Sequence, residues 1–333
     1  MTEKSAAKIL SKPRWTKITA WLLAALLIVF AIIGIYWSRT PDVFWVNRSV
    51  EGDRIVVGYS TTDTLIRVAD TLLEKQGGYL TNDKMPPSVF LDNIPNWEFG
   101  VLQQVRDMAR VIRNDYSRSQ SQSKEDPDVS LAEPLFFFDN NSWLLPRTES
   151  EYRNAIDGFE LYRDRLIGTK QPVAQFYARA DNLREWLSQV EKRLGSITRR
   201  LGDSVTTTRI NEGLAGDASA EASTTQADTL YVQTSWVEVD DVFFESRGTA
   251  WALLHFFRAA ELDFEKVLAD KNAIASVRQI IRELEASLQP LHSPIILNGS
   301  GYGFFANHSL VMANYLARAN AGVINLRELL DQG

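Results

Sequence analysis

Residues Ile18 to Trp37 form one apolar run of 20 residues with no charged side chain inside it. As a helix rising about 1.5 Å per residue, such a run reaches about 30 Å, the thickness of a bilayer's hydrocarbon core. That length constrains the chain more than any other feature. The run belongs in lipid, and everything after Trp37 belongs on one side of it. A cleaved signal peptide would carry a shorter apolar region followed by a small-x-small site. Tyr36-Trp37-Ser38-Arg39 offers no such site, so an uncleaved anchor is expected. A core helix of a soluble protein would not be expected beside so basic an N-terminus.

The flanks set the direction. Lys4, Lys8, Lys12, Arg14 and Lys17 precede the run against one acid, Glu3, whereas Arg39, Arg48 and Arg54 after it are offset by Asp42, Glu51 and Asp53. Basic flanks stay in the cytoplasm, so the body is expected to be exported. Trp15, Trp21, Tyr36 and Trp37 sit near the two ends, where amphipathic rings favour the headgroup zone. Residues 1–40 carry six basic and one acidic side chain, which leaves the body with a net charge of −11. An acidic body is a poor partner for nucleic acid or anionic lipid. Cysteine is absent, so the body has neither disulfides nor thiolate chemistry and must be held together by packing.

The body reads as helical. Thr61 to Gln76 has a broad apolar face, with Thr62 or Asp63 to cap it and Gly77-Gly78 to end it. After a Pro- and Asn-rich connection, Asn96 opens a second helix with Val101, Val105, Met108 and Ile112 on one face. Arg106, Arg110 and Arg113 lie opposite, as expected of a solvated face. Ser117 to Glu133 is polar and reads as a solvated connection, followed by a short apolar stretch, Leu135 to Phe138. Thr148 and Glu151 have capping-box spacing for a helix running to about Ile167. Four later segments repeat apolar residues three and four apart: Phe176 to Leu201, Ala250 to Val267, Ile274 to Leu288 and Met312 to Leu330. That period suits near-parallel helix packing. The second of the four is apolar around much of its girth and should be the most central helix. Arg54 to Tyr59 and Thr229 to Val239 are strand candidates that could pair with each other as a minor β-ribbon.

The expected fold is therefore all-α: one N-terminal transmembrane helix and a mostly antiparallel multi-helix bundle with a minor β-ribbon. The expected divisions are a basic cytoplasmic tail over 1–17, the transmembrane helix over 18–37, an N-terminal helical part over 38–145 and a C-terminal bundle over 146–333. Residues 202–228, rich in Thr, Ser, Ala and Gly, read as a mobile loop in the last of these.

Several runs carry a resemblance to a known group. They are Gly77-Gly78-Tyr79-Leu80, Leu91-Asp92-Asn93, Pro95-Asn96-Trp97-Glu98, Arg106-Asp107, Ser117 to Ser123, Ala178 to Leu183, Leu297 to Gly301 and Ala306 to Leu310. With these the chain resembles a proteobacterial family of unknown function, domain family 2333, from the anchor to the C-terminus. The resemblance implies a Gram-negative inner-membrane protein with a periplasmic body, and supplies no catalytic residues.

Chemistry must then come from the residues themselves. The three histidines, His255, His292 and His308, lack metal-ligand spacing, so no metal site and no cofactor is expected. His255 reads as a core histidine, and His308, just after Asn307, as part of a helix start. The glycine-rich stretch before Asn307, with Tyr302, Phe304 and Phe305, lacks the Lys-Ser/Thr of a phosphate loop. It reads as a tight turn whose rings tuck under the bundle, and as a partner site. Tyr79, Asp92, Asn93, Asn96, Trp97, Asn140 and Trp143 are aromatic and amide-rich, suited to sugar or peptide recognition. The enzymatic alternative is wall-glycan cleavage with Glu245, placed at a helix start, as general acid in an apolar pocket made by Phe243 and Phe244. Glu-Ser there and Ala319-Asn320-Ala321-Gly322 faintly resemble lytic transglycosylase motifs, but the Gly-Leu-Met-Gln motif of that class is missing. The expectation is a non-enzymatic binding or scaffold component that contacts the bilayer through Ile18–Trp37 and an envelope protein or the cell wall through its body, with self-association left open.

Overall fold

Two glycines allow two helices of this protein to touch backbone to backbone. A Cβ on Gly100 would lie 2.1 Å from the carbonyl oxygen of Glu245, and one on Gly248 would lie 2.0 Å from that of Trp97. These glycines join α3 (Asn93–Val111) to α7 (Val239–Asp263) at the centre of the fold. The computed structural model describes residues 14–48, 50–51, 54–119, 124–210, 229–293 and 295–332. The other helices are α1 (Arg14–Trp37), α2 (Tyr59–Glu74), α4 (Pro127–Phe136), α5 (Thr148–Leu166), α6 (Ala180–Gly202), α8 (Glu265–Asp270), α9 (Ile274–Ser287) and α10 (His308–Asp331). The fold is all-α with two small β-ribbons.

α7 is the hub, in contact with α2, α3, α6, α9 and α10. Its heptad-like apolar positions explain this, since Leu253, Phe256 and Phe257 are fully buried. The ring of Trp251 lies 5.3 Å from that of Trp97, and Trp186 of α6 lies 4.8 Å from Phe257. Most neighbours run antiparallel. The exceptions are α10, whose first residue His308 meets Phe243 near the start of α7, and α3. In α3 and α7, Asn96 meets Asp241 near their starts and Tyr116 meets Phe264 past their ends, so they run the same way. One hydrophobic cluster extends from Val56 to Leu330.

Several elements differ from the sequence expectation. The polar stretch before Leu135 is not all a connection, because α4 starts at Pro127, with Asp126 accepting from the amides of Asp128 and Val129. The arginines of α3 and of the turn that follows it are not a solvated row. Arg106 donates to the carbonyls of Phe136 and Phe138, and Arg113 bridges Glu125 and Glu133. Thr148 makes no capping box: its hydroxyl donates to the carbonyl of Asp139. The two strand candidates do not pair with each other. β2 (Arg54–Ile55) pairs with β1 (Val50–Glu51), and β4 (Thr229–Val232) with β3 (Thr207–Ile210). Of the expected mobile loop, 211–228 lie outside the described residues, and its earlier part ends in β3. α2 carries no capping side chain of its own. Asp263, the last residue of α7, accepts from the Thr61 amide at 2.6 Å and its hydroxyl at 2.7 Å.

α1 is the one helix among the described residues long and apolar enough to cross a membrane, with a mean hydropathy of 2.8 over an 18-residue window within Trp15–Trp37. Its final turns are docked on the body. A Cβ on Gly34 would lie 3.6 Å from Leu91 and 3.8 Å from Pro87, and Gly77, at φ +85°, has room for the Trp37 ring only because it lacks a side chain. Residues 38–48 then form a strap along α7. Trp251 Nε1 donates to the Asp42 carbonyl, the Phe44 amide donates to His255 Nε2, and Arg258 donates to the Phe44 carbonyl. The strap ends with Arg48 on Glu265 at 2.9 Å. These contacts place the end of α1 beside the starts of α3 and α7. The starts of α5 and α10 lie at that same end, through Asn82 on Glu149 and Asn298 on Ser204.

Candidate functional site: a cation-rich groove between α3, α6 and α7

Because α3 and α7 approach so closely at Gly100 and Gly248, α6 cannot seal the seam between them. A groove of about 500 Å³ is left, lined from α3 by Gln103, Gln104, Asp107 and Arg110 and from α6 by Gln189, Lys192, Arg193 and Arg200. α7 adds Glu245 and Thr249. Four cations against two acids make the lining positive, on a body that is acidic as a whole.

Both acids are closed by bidentate pairs. Arg193 reaches Asp107 at 2.6 and 3.0 Å, and Arg200 reaches Glu245 at 2.7 Å through each nitrogen. These hydrogen bonds raise both guanidinium groups above their ordinary values. Charge-assisted forks of this kind are strong and geometrically fixed. Gln104 is buried at the groove, and its Nε2 has no hydrogen-bond partner. The arrangement offers amides and guanidinium faces to hydroxyls and carboxylates. It does not offer a proton donor, because both oxygens of Glu245 are acceptors for Arg200.

Glu245 therefore sits in a groove, but not where the sequence put it. It lies in the second turn of α7, not at a helix start. Phe243 and Phe244 do not enclose it: Phe243 is buried toward His308, and Phe244 lines a different cleft with Pro41 and Leu291.

The aromatic and amide set is dispersed. Trp97 is buried in the core, its edge at the floor of the cleft that Phe244 shares with Pro41 and Leu291. Tyr79 is buried, donating its hydroxyl to the Asn140 carbonyl at 3.0 Å, and burial pushes its pKa far above the ordinary tyrosine range. Asp92 caps α3 by accepting from the Asn93 amide. Asn96 donates to Asp241 at 2.6 Å, whose carboxyl is pushed up to about 6 by desolvation and by Asp240 and Asp92. Trp143 is 56% exposed. Asn307 caps α10 through the Leu310 amide and holds Asn298 and Gly299. His308 Nδ1 accepts from the Leu297 amide. The rings of Tyr302, Phe304 and Phe305 do not tuck under the bundle; all three stand out in solvent. Among the described residues no cluster of three or more His, Asp or Glu is placed to hold a metal. The residues sequence reasoning missed are Gln103, Gln104, Asp107, Gln189 and Arg193. Only the polar positions at Asp107 and Arg193 within otherwise apolar helix faces hinted at them.

Fold and groove together define an all-helical protein with a single N-terminal helix of membrane-spanning length. The chain belongs to a bacterial family described as "uncharacterized protein conserved in bacteria (DUF2333)", whose model matches residues 9–333. No curated protein and no solved structure matches it.

Proposed function

We propose that this protein is a single-pass inner-membrane protein, with its N-terminus in the cytoplasm and its body in the periplasm. It acts as a non-catalytic binding component of the bacterial envelope, holding a carboxylate- and hydroxyl-rich wall ligand in the α3–α6–α7 groove. The observation that carries this reading is the groove's positive, amide-rich lining on a body of net charge −11. Local positive charge on an otherwise acidic body favours an anionic partner that the rest of the surface repels. The basic residues before α1 support the orientation.

The test is retention of isolated wall sacculi by the full chain in detergent. Arg193→Ala combined with Arg200→Ala should reduce retention about tenfold or more, the loss expected for two charge-assisted contacts. Undiminished retention by that variant would remove the groove from the proposal. The second reading is wall cleavage by Glu245, which lines the groove and would act as an acid only once the Arg200 fork releases its carboxyl. Release of soluble wall fragments by the wild type, abolished by Glu245→Gln, would establish it.

A further inference from the structure

We infer that the end of the bundle from which α1 departs is itself embedded in the membrane surface, as a ring of apolar loop side chains at the boundary between headgroups and acyl chains. The inference rests on the reading of α1 as a membrane span and goes beyond it. A span alone would leave the body free above the bilayer.

Exposed apolar residues are not spread evenly over this body. Phe90 is 78% exposed in the loop before α3, Leu145 90% in the loop before α5, and Phe304 98% in the loop before α10. Met85, Trp236 and Phe305 are similarly bare. All six lie in connections at one end, the end to which the strap brings α1. The opposite end carries the connections after α3, α5 and α8. There and in the segment before α2, the exposed large apolar residues among the described ones are Ile55, Val57 and Val173, none above 46%; Trp45, 78% exposed, lies on the flank of α7 under Arg258. Contiguous exposed apolar surface marks an interaction site.

The occupant follows from continuity with α1. Gly34 precedes Trp37 by three residues, about 4.5 Å along a helix axis. Pro87 and Leu91 contact α1 at Gly34, and Phe30 and Ile33 are partly covered. The loop that carries Met85, Val89 and Phe90 thus already reaches below the ring of Trp37. If Trp37 marks the headgroup zone, that loop lies within it. Aromatic and aliphatic tips with flanking charges are the composition of surface-embedded segments. Exposed Asp92, beside Phe90, limits the depth to the headgroup boundary.

The absence of cysteine makes a direct measurement available, because each introduced thiol is unique. Spin labels would be placed on Phe90→Cys, Leu145→Cys, Phe304→Cys, Val57→Cys and Val173→Cys in the full chain. Leu26→Cys, within α1, serves as the reference. In vesicles of phosphatidylethanolamine and phosphatidylglycerol, collision rates with oxygen and with a water-soluble nickel chelate report depth. Positions 90, 145 and 304 should favour oxygen, as position 26 does, while 57 and 173 favour the chelate. Lipid-like values at 26 with water-like values at 90, 145 and 304 would overturn the inference and leave the anchor standing. Water-like values at 26 would remove the anchor and the inference together. Labels at 90, 145 and 304 shielded from both reagents would mean that a second copy or another protein covers this end, which also overturns it.

Discussion

The main-chain amide of Phe44 donates to Nε2 of His255 at 3.0 Å, and the Phe44 ring stacks on that imidazole with centroids 3.8 Å apart. The other ring nitrogen, Nδ1, lies 2.6 Å from the Trp251 carbonyl and so carries the proton. One neutral tautomer thus staples the strap to α7. A charged imidazole would have no acceptor for its second proton, since a backbone N–H already points at Nε2.

Burial lowers the His255 pKa to about 3, from an ordinary 6.5. The unfolded chain takes up this proton below about pH 6.5 and the folded chain does not. The stability from neutral His255 is therefore complete above that pH and is lost as pH falls, by about 1.4 kcal/mol per unit. His255→Gln keeps no titrating group. The stability gap between wild type and this variant should narrow steadily from pH 7 to pH 4 in thermal unfolding. A gap independent of pH would show that the staple does not need the neutral ring.

Asp263 has the opposite sign. Desolvation raises it to about 6 from 3.8, despite the hydrogen bonds from Thr61 and from the Gly58 and Ser60 amides. The folded chain keeps this proton up to about pH 6, while the unfolded chain releases it near 3.8. Stability from this group is present at low pH and is lost as pH rises through that window. Asp263→Asn removes the titration, so relative to wild type it should gain about 3 kcal/mol between pH 4 and pH 7. Unfolding midpoints of the two proteins that shift in parallel with pH would contradict this.

Much of the fold could be read before the structure, and the reasons are local. The buried apolar residues of α6, α9 and α10 recur three and four apart along one face, so a one-dimensional pattern carried the answer. α4 was missed because its buried residues are only Val129, Ala132, Glu133 and Phe136, with Pro134 inside the helix. The Asp126-Pro127 start was the signal that could have revealed it. The strap has no periodicity, since Asp42, Phe44 and Trp45 are held through their main chain by Trp251, His255, Arg258 and Arg67 of other elements. The groove was unreadable for a similar reason. Arg193 pairs with Asp107 across 86 positions, and Arg200 with Glu245 across 45. Nothing in the spacing of those charges announces a fork.

Gly77 and Gly168 allow strain to be separated from contact. Both have left-handed backbones, φ +85° and +84°. A Cβ on Gly77 would lie 2.7 Å from the Trp37 ring, whereas one on Gly168 would meet nothing within 4 Å. Gly168→Ala should cost only the conformational penalty, about 1–2 kcal/mol. Gly77→Ala should cost more and should expose the 38–41 segment to proteolysis. Equal losses, with no new cleavage, would show that Trp37 is not seated on Gly77.

The contact of α3 with α7 depends on two absent methyl groups. Gly100→Ala or Gly248→Ala must part backbones that now touch, and overpacking of this kind costs about 1–3 kcal/mol or more. Gly195→Ala is the control, because its Cβ would meet only Asn320 Nδ2 at 3.8 Å. In a helix interior that change should stabilise by about 0.5–1 kcal/mol. Denaturant midpoints of the three variants check the order. The distance change would also open the groove, so wall retention should fall with Gly100→Ala and hold with Gly195→Ala.

Glu98 ties the core to the platform under α1. It is fully buried, 2.5 Å from the equally buried Lys75, and it accepts from the amides of Leu80 and Thr81 at 2.8 Å each. Lys75 in turn donates to the Gly78 carbonyl. The turn that presents Gly77 to Trp37 is thus wrapped around one carboxylate. Glu98→Gln leaves the Lys75 charge buried without its partner, a loss of about 3–5 kcal/mol. Lys75→Met with Glu98→Gln removes both charges and should recover much of that loss. The readout is the thermal midpoint together with protease cleavage near residue 78. If the double variant is no more stable than Glu98→Gln alone, the pair does not act as a unit, and the platform is held by the amide contacts of Leu80 and Thr81 instead.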